Sequence, residues 1–307
     1  MNQLTNQIFM IRPACFGYNA ETAVNNAFQT EANAEDYHTI QRVAVEEFDH
    51  MVSLLRSKGI HVLVIEDTAE PLKPDAVFPN NWISFHENGT VITYPMFAKN
   101  RRIERRPDII ESISSQYFIK NKYSFEFYEE DNIFLEGTGS MIFDRSDGIV
   151  YACLSPRTNL MLIDKFNLLM NTRSIVFEAV DEHGHQIYHT NVMMALGLDF
   201  VVICMDSIQN LESKQELYET FKKTGKDVIH ISHEQMNAFA GNMLEIRGHN
   251  DQRYLVLSQT AYNVLKKEQI ANLESHTTLL PIPIPTIETY GGGSVRCMMA
   301  EIFLDKK

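Results

Sequence analysis

A cysteine that follows three glycines is the first feature of this sequence that could carry chemistry. Cys297 lies in the segment ETYGGGSVRCMMAEIFL, where three residues separate it from the run Gly291, Gly292 and Gly293. Three consecutive glycines cost conformational entropy, so they usually serve a tight turn or a close approach to a ligand. A cysteine thiol is partly ionised at neutral pH, and the resulting thiolate is a strong nucleophile. The pattern also fits a loop before the last strand, with Cys297 as an inert core residue.

A histidine-rich stretch, DEHGHQIYHTN, allows two kinds of chemistry. His183 and His185 have a spacing that puts two imidazoles on the same face of an extended strand, a geometry that metals use. A hydrolytic metal centre that also uses His189 is therefore one interpretation, and a polar turn around Gly184 is the other. His189 leads into an apolar run, which predicts a position at the edge of a site.

Two further segments place polar side chains just before predicted strands. Glu136 lies in LEGTGS, between an apolar stretch and two glycines, and buried carboxylates are rare unless they are paired. In PDAVFPNNW, an apolar pair is flanked by Asp75 on one side and by Asn80 and Asn81 on the other. Two asparagines before a strand are also ordinary turn residues, so this segment alone leaves both interpretations open.

Arginines at two places are candidates for binding a carboxylate. Arg157 lies in LSPRTN at the end of a predicted strand, where a guanidinium can hold a carboxylate through two hydrogen bonds. Arg101 and Arg102 belong to the basic run 101–106, which is typical of a solvated start of a helix. One arginine of that run can still face a pocket.

Composition limits the function classes. The chain has 307 residues and a net charge of −13, which argues against nucleic-acid binding because phosphate backbones need a basic surface. No apolar run approaches the ~20 residues that cross a bilayer, and the N-terminus lacks the pattern of a secretory signal. Four cysteines without CxxC spacing indicate neither a disulfide framework nor a zinc knuckle. We therefore expect a cytoplasmic protein, with a homo-oligomer left open.

The periodicity predicts a mixed α/β fold built of several similar units. A helical stripe of apolar residues over 33–58 predicts one long helix that Gly59 ends, followed by a buried strand at 61–65. Strand patterns recur at 82–85, 90–95, 140–144, 149–154, 174–180, 200–205, 227–231, 243–247, 254–258 and 297–304. Helical patterns lie between them at 108–118, 160–172, 214–224, 233–240 and 260–273. The order indicates strand-strand-helix-strand units rather than a doubly wound parallel sheet.

The order of the motifs resembles the guanidine-modifying (pentein) superfamily. The series is PDAVFPNN, LEGTG, LSPRTN, YHTN and GGGSVRC, and the resemblance runs from about Met10 to Leu304. That group includes arginine deiminase, dimethylarginine dimethylaminohydrolase and the amidinotransferases, and the nearest likeness is to citrulline-utilisation hydrolases. The resemblance implies one catalytic domain over 1–307, an α/β propeller of five ββαβ units around a pseudo-fivefold axis. It implies a small arginine-like substrate and no metal or cofactor.

The resemblance also implies roles for individual residues. Cys297 would be the nucleophile, His189 the general acid and base, and Glu136 the carboxylate near the substrate nitrogens. The remaining implied residues bind substrate: Asp75, Asn80, Asn81 and Asn191 in the pocket, and Arg157 with Arg101 or Arg102 at the α-carboxylate.

Departures from the deiminase pattern bear on the substrate. Asn81, Asn191 and Thr138 stand where the deiminases have acids, and those acids suit a guanidinium cation, which offers only donors. A neutral ureido group offers both a carbonyl acceptor and amide donors, which asparagine matches. We therefore predict hydrolysis of citrulline to ornithine, ammonia and carbon dioxide. The alternatives are an arginine deiminase, a dimethylarginine hydrolase, an amidinotransferase, a metal hydrolase and a non-catalytic amino-acid-binding protein.

Overall fold

The computed structural model describes residues 1–26, 28–31 and 36–307 of the chain. The strands of these residues are β1 (Gln7–Arg12), β2 (His61–Glu66), β3 (Ile83–Phe85), β4 (Thr90–Thr93), β5 (Asn121–Ser124), β6 (Met141–Asp144), β7 (Ile149–Cys153), β8 (Arg173–Phe177), β9 (Met194–Leu196), β10 (Phe200–Ile203), β11 (Asp227–His230), β12 (Leu244–Arg247), β13 (Arg253–Ser258), β14 (Thr278–Ile282) and β15 (Ala300–Glu301). The α-helices are α1 (Ala20–Ala23), α2 (Tyr37–Ser57), α3 (Lys99–Arg102), α4 (Pro107–Gln116), α5 (Gly137–Ser140), α6 (Leu160–Met170), α7 (Thr190–Met193), α8 (Leu211–Lys223), α9 (His233–Asn237), α10 (Gln259–Val264), α11 (Lys267–His276) and α12 (Pro285–Gly291).

The strands of the described residues form five three-stranded sheets. Their orders are β15-β1-β2, β3-β4-β5, β6-β7-β8, β9-β10-β11 and β12-β13-β14. In each sheet the central strand pairs antiparallel with one neighbour and, after a helical crossover, parallel with the other. The last strand of the chain thus completes the unit that β1 and β2 begin. The predicted mixed α/β architecture of five ββαβ units is confirmed.

The long helix α2 has the apolar stripe that the sequence predicts. Its buried side chains are Ile40, Ala44, Phe48, Met51, Val52 and Leu55. The predicted start at Asn33 lies outside the described residues, and the described helix begins after Asp36. Gly59 ends this region with a φ of +83°, a conformation that glycine adopts at low cost. The stripe therefore fixes how α2 packs against the first sheet.

The predicted last strand is much shorter than the apolar pattern indicates. The pattern covers 297–304, whereas β15 contains only Ala300 and Glu301. The backbone N–H of Cys297 donates to Ser294 O at 2.9 Å, and that of Arg296 donates to a side chain. These amides therefore belong to a turn and not to a β-strand. The turn directs the cysteine towards the interior of the molecule.

Other elements differ from the sequence prediction for local reasons. The predicted helix 260–273 is two helices, α10 and α11, because Leu265 and Lys266 between them have extended backbone. The strand β5 was missed because all four of its residues are exposed and polar in pattern, and its hydrogen bonds come from parallel pairing with β4. The strands β1, β9 and β14 and the helix α12 were also missed. Among the described residues, no helix is long and apolar enough to cross a membrane.

Candidate active site

Short turns at the ends of separate units bring the candidate side chains together. Glu136 precedes the one-turn helix α5, His189 precedes the one-turn helix α7, and Cys297 lies in the turn between α12 and β15. The helix α5 packs against both α7 and the turn Pro79–Asn81. The structure therefore places residues from four distant segments around one central cavity.

Two glycines of α5 make this close approach possible. Gly137 has a φ of +46°, and a Cβ atom there would lie 2.4 Å from the backbone oxygen of Asn80. A Cβ atom on Gly139 would lie 2.4 Å from Asn81 Nδ2 and 2.8 Å from His189 Nδ1. Neither position has room for a side chain. The glycines of the LEGTG motif thus serve packing between the candidate catalytic residues.

His189 and Glu136 form a buried hydrogen-bonded pair. His189 Nε2 lies 2.8 Å from Glu136 Oε2, and the other carboxylate oxygen accepts from the backbone N–H of Phe97 at 2.9 Å. Burial acts to raise the pKa of Glu136, but the charge of Arg157, 3.5 Å away, and the hydrogen bond from His189 outweigh it and hold the pKa at about 2. An ionised carboxylate only accepts hydrogen bonds, so Nε2 carries the proton and Nδ1 keeps its lone pair. Burial lowers the pKa of His189, and Glu136 opposes that shift.

The sulfur of Cys297 faces the same cavity as His189. The cavity is lined by Cys297 and His189 together with other predicted site residues, namely Asp75, Asn81, Arg101 and Arg157. Cys297 Sγ accepts N–H donors from Asn191 at 3.4 Å and from Asn242 at 3.3 Å. Cys153 and Cys204 are instead fully buried core residues, and burial raises the pKa of Cys153 to about 12. The geometry thus separates Cys297 from these two thiols.

The two arginines that line the cavity already have protein partners. Arg101 holds Glu104 through two hydrogen bonds of 2.9 Å, and its Nη1 donates to Asn81 Oδ1 at 2.8 Å. Arg157 Nε donates to Asn25 Oδ1 at 2.9 Å, and its Nη2 donates to Thr22 O at 2.9 Å. Both guanidinium groups are therefore fixed in place.

The basic run 101–106 is not solvated at its start, which corrects the sequence interpretation. Arg101 is only 3% exposed, because Glu104 from the next turn is buried with it. Arg102 points away from the cavity: its Nε donates to Met96 O at 3.0 Å and lies 3.4 Å from Glu129. Of the two neighbouring arginines, the structure brings only Arg101 into the site.

Four buried polar atoms of the predicted substrate-binding residues have no hydrogen-bond partner within the described residues, and two of these residues, Asp75 and Asn81, line the cavity. The four atoms are Asp75 Oδ1, Asn80 Oδ1, Asn81 Nδ2 and Asn191 Oδ1. An unpartnered buried polar group costs roughly 1–3 kcal/mol, so such atoms mark where a polar ligand would be stabilised. The set contains three acceptors and one donor. It therefore matches a ligand that offers several N–H groups and at least one oxygen.

The donor in this set has a fixed orientation. An asparagine amide can usually be turned round, so its oxygen and nitrogen must be assigned from their partners. Asn81 Oδ1 faces Arg101 Nη1, and a guanidinium can only donate. The oxygen must therefore stay on that side, and Nδ2 must face Gly139 and His189. Asn81 and His189 both line the cavity, so this N–H is held beside the imidazole.

The cavity itself is smaller than an amino acid, and wider space lies beside it. The catalytic cavity measures about 20 Å³, roughly the space for one water molecule. The segment of α1 covers it, because Asp75 Oδ2 accepts from Asn19 Nδ2 at 2.8 Å and from Thr22 Oγ1 at 3.1 Å. A wider cavity of about 830 Å³ lies on the other side of Tyr188, which lines both.

The structure does not assemble the metal site that the histidine spacing allows. His183 and His185 are exposed on the turn around Gly184, and His185 Nδ1 lies 3.2 Å from Asp181. His189 is buried and bonded to Glu136 instead. In residues 1–26, 28–31 and 36–307, no three or more His, Cys, Asp or Glu side chains are grouped to hold a metal ion.

Two residues of the site were not predicted from the sequence. Tyr188 packs its ring 4.8 Å from that of His189, and the guanidinium of Arg157 lies 4.7 Å from its centre. Asn242 contacts Cys297, and the only signal for it was the preceding Gly241. A Cβ atom on Gly241 would lie 2.3 Å from the backbone oxygen of Val192, so the motif AGN marks a close backbone contact.

We predict that Gly139→Ala lowers kcat/KM by roughly 10²-fold, because a displacement of about 1 Å at a catalytic group can have that effect. The new methyl group would push on His189 Nδ1 and Asn81 Nδ2. Steady-state kinetics and thermal melting measure the two effects. Gly148→Ala is the control: its φ of +64° makes it strained, but nothing lies within 4 Å. It should lose stability and keep its activity; equal activity losses in both variants would contradict the prediction.

Comparison with known proteins places the chain among guanidine-modifying enzymes. A family model for eukaryotic N,N dimethylarginine dimethylhydrolase matches residues 12–304. The apo structure of ArgZ, an arginine dihydrolase from cyanobacteria, has a TM-score of 0.75 at 15% identity, covering 96% of this chain and 40% of ArgZ. A substituted N-terminal domain of ArgZ bound to substrate has a TM-score of 0.75 at 14% identity, covering 96% of this chain and 97% of the domain.

A third solved structure has a similar fold. It is an adduct of a dimethylarginine dimethylaminohydrolase variant with S-methyl-L-thiocitrulline, with a TM-score of 0.67 at 14% identity, covering 97% of this chain and all of that one. The chain thus spans about 40% of the length of ArgZ and nearly all of its N-terminal domain. No curated protein matches the sequence. At these identities the structures establish the pentein fold, and the family model establishes the family.

Proposed function

Because the chain belongs to the family of N,N dimethylarginine dimethylhydrolases, which are pentein hydrolases of carbon–nitrogen bonds, we propose that residues 1–307 form one catalytic domain that hydrolyses citrulline. The products are ornithine and carbamate, which decays to ammonia and carbon dioxide. The reaction uses Cys297 as nucleophile. The substrate choice rests on the polar atoms that the cavity offers.

The observation that carries this proposal is the fixed N–H of Asn81. Its amide is oriented by Arg101, and its Nδ2 is a buried donor without a partner in the described part of the chain. A ureido carbonyl is an acceptor and would satisfy this donor. A guanidinium offers only N–H groups, so it would set donor against donor. The open acceptors Asp75 Oδ1 and Asn191 Oδ1 suit the ureido N–H groups.

The charge balance of the cavity also favours a neutral group. Each carboxylate near the cavity has an arginine partner: Arg157 lies 3.5 Å from Glu136, and Arg101 lies 2.9 Å from Glu104 and 3.9 Å from Asp75. Burial raises the pKa of Asp75 and raises that of Glu104 to about 7. Two arginines thus serve three carboxylates, and these raised pKa values favour the protonated form of one of them, so a guanidinium would add an unbalanced buried cation, which is costly.

The proposed chemistry has two steps. The Cys297 thiol gives its proton to His189 Nδ1 as its sulfur attacks the ureido carbon, and the resulting oxyanion accepts from Asn81 Nδ2. The bond from that carbon to the side-chain nitrogen breaks, His189 protonates that nitrogen, and ornithine leaves an S-carbamoyl cysteine. Water then gives a proton to His189 Nδ1 and attacks the same carbon. Carbamic acid leaves as the sulfur recovers its proton from His189 Nδ1, and Glu136 holds the imidazole through Nε2 in both steps.

The α-carboxylate of the substrate needs a basic partner, and the candidate, Arg157, is hydrogen-bonded to the protein itself while the cavity is closed. Arg157 donates to Asn25 and to the backbone oxygen of Thr22, both on the segment that covers the cavity. A substrate α-carboxylate is a stronger acceptor than these neutral oxygens. We propose that it replaces them on Arg157 when this segment moves aside. Arg102 has no part in this step.

Arginine dihydrolysis is the second candidate, and the match to the ArgZ domain favours it. The N-terminal domain of ArgZ has the fold of this chain and was solved with substrate bound. Conversion of arginine to ornithine requires two hydrolytic steps, the second of which acts on a ureido group. The acceptors Asp75 Oδ1 and Asn191 Oδ1 would have to serve the guanidinium in the first step.

The test is separate incubation with citrulline, arginine and N,N-dimethylarginine, with ornithine, citrulline and ammonia each quantified. Ornithine from citrulline alone supports the proposal, and ornithine from arginine as well supports dihydrolysis. Citrulline as the final product of arginine or dimethylarginine would contradict it. Cys297→Ser is the blank, and added glycine would reveal amidino transfer. A chelator that abolishes turnover would favour a metal hydrolase, and ligand binding without turnover would indicate a binding protein.

A further inference from the structure

Asn242 lies directly against the sulfur of Cys297 and joins three segments of the chain. Its Nδ2 donates to Cys297 Sγ at 3.3 Å and to the backbone oxygen of Asn191 at 3.0 Å. Its Oδ1 accepts from the backbone N–H of Arg296 at 3.0 Å. The side chain is only 2% exposed. All of its hydrogen-bonding groups are therefore used around the cysteine.

The partners fix which way this amide points. A backbone N–H can only donate, so the atom that faces Arg296 must be the oxygen. One hydrogen of Nδ2 goes to the Asn191 backbone oxygen, which can only accept. The remaining hydrogen then points at Sγ. The side chain of Asn191 supplies a second N–H to the same sulfur at 3.4 Å.

We propose that Asn242, together with Asn191, is a positioning residue that stabilises negative charge on the Cys297 sulfur as it reacts and directs the sulfur into the cavity. A sulfur that faces two N–H donors acts as an acceptor, and hydrogen bonds to an anion are roughly twice as strong as those to a neutral group. The Nε2 of His189 is bonded to Glu136, so Nδ1 is the atom that can take up the thiol proton, and the two amides stabilise the charge left on the sulfur. The inference rests on the proposed role of Cys297 as nucleophile.

The backbone around Asn242 is built for this contact. Gly241 lies so close to the segment of α7 that a Cβ atom would be 2.3 Å from Val192 O and 2.8 Å from the carbonyl carbon of Met193. Only glycine allows the two backbones to approach in this way. The approach brings Asn242 within reach of both Asn191 and Cys297.

The experiment measures alkylation of Cys297 by iodoacetamide across pH in the full chain, with labelling quantified at each cysteine by peptide mass spectrometry. Asn242→Asp replaces a donor with an anion of the same shape. A hydrogen bond to a charged group contributes about 1.5–3 kcal/mol, so the pH midpoint of Cys297 alkylation should rise by about one pH unit or more. Asn263→Asp adds the same charge at an exposed helix position and should leave the midpoint unchanged.

A second variant keeps the test decisive if the aspartate impairs folding. Asn242→Ser keeps a small polar side chain that is too short to reach both Arg296 N and Sγ, so its midpoint should also rise. A folded variant with the wild-type midpoint would overturn the inference, even if kcat fell through loss of stability. Alkylation needs no substrate, so the result does not depend on whether citrulline is turned over. Failure of the proposed function appears only in the turnover assay.

Discussion

Replacing Asn81 by aspartate is expected to change the substrate preference from citrulline towards arginine. The variant keeps an oxygen towards Arg101 but loses the N–H that faces the cavity. Loss of one donor to a developing oxyanion lowers kcat by roughly 10²–10³-fold, so kcat/KM for citrulline should fall by about that factor. Arginine turnover should rise, because the second carboxylate oxygen is an anionic acceptor for a guanidinium. Steady-state kinetics on both substrates measures the ratio.

Asn81→Leu separates the two parts of this expectation. It has a similar volume, removes the donor and adds no charge, so citrulline turnover should fall without a gain for arginine. A rise in arginine turnover in Asn81→Leu would mean that the Asn81 N–H acts by excluding arginine and not by stabilising the ureido oxygen. Unchanged citrulline kinetics in both variants would show that Asn81 does not contact the ureido group.

The fold and the candidate catalytic residues could be predicted from the sequence where local patterns determine them. The stripe of α2 is visible because its period is that of a helix, and the hairpin of β6 and β7 is visible because SDG separates two apolar runs. The structure pairs Asp144 with Ile149 across that turn. Cys297, His189 and Glu136 were selected by the order of their motifs, and the structure places Cys297 and His189 at one cavity with Glu136 bonded to His189.

What could not be predicted depends on contacts between distant segments. Asn242 has a role only because Gly241 meets Val192 and because the turn at Arg296 lies beside both. The orientation of Asn81 likewise depends on Arg101, which is twenty positions away. The basic composition of 101–106 predicted a solvated helix start and not this buried contact. No periodicity records such contacts, since they are set by packing of whole units around the axis.

Glu136→Gln is expected to lower kcat by about 10³-fold, because it forces His189 into the wrong tautomer. The backbone N–H of Phe97 needs an acceptor, so the glutamine oxygen must stay there and its NH₂ must face His189 Nε2. Two donors cannot face each other, and the proton must move to Nδ1. The nitrogen that should accept a proton from water then carries one. Steady-state kinetics with citrulline measures the loss.

Glu288→Gln is the matched control for a buried glutamate. Its oxygens accept from the hydroxyls of Ser294 and Thr260, both at 2.6 Å, and a hydroxyl can turn to accept from an amide. These hydrogen bonds go to Ser294 and Thr260 and not to His189, so this variant should keep its kcat. Equal losses in the two variants would assign the effect to buried charge in general and not to the tautomer of His189.

Glu136→Gln also changes the dependence of stability on pH. Glu136 has a folded pKa of about 2 against an ordinary value of 4.5, so its contribution is fully present above pH 4.5 and is lost as the pH falls towards 2. The variant has no carboxylate at this position, so only the wild type loses this contribution at low pH. The difference in unfolding free energy between wild type and variant should therefore shrink over that range. Because Glu136 also raises the pKa of His189, the acid limb of any remaining activity should move to lower pH. A limb that moved to higher pH would show that Glu136 does not stabilise the imidazolium, and the pair would then have no part in proton transfer.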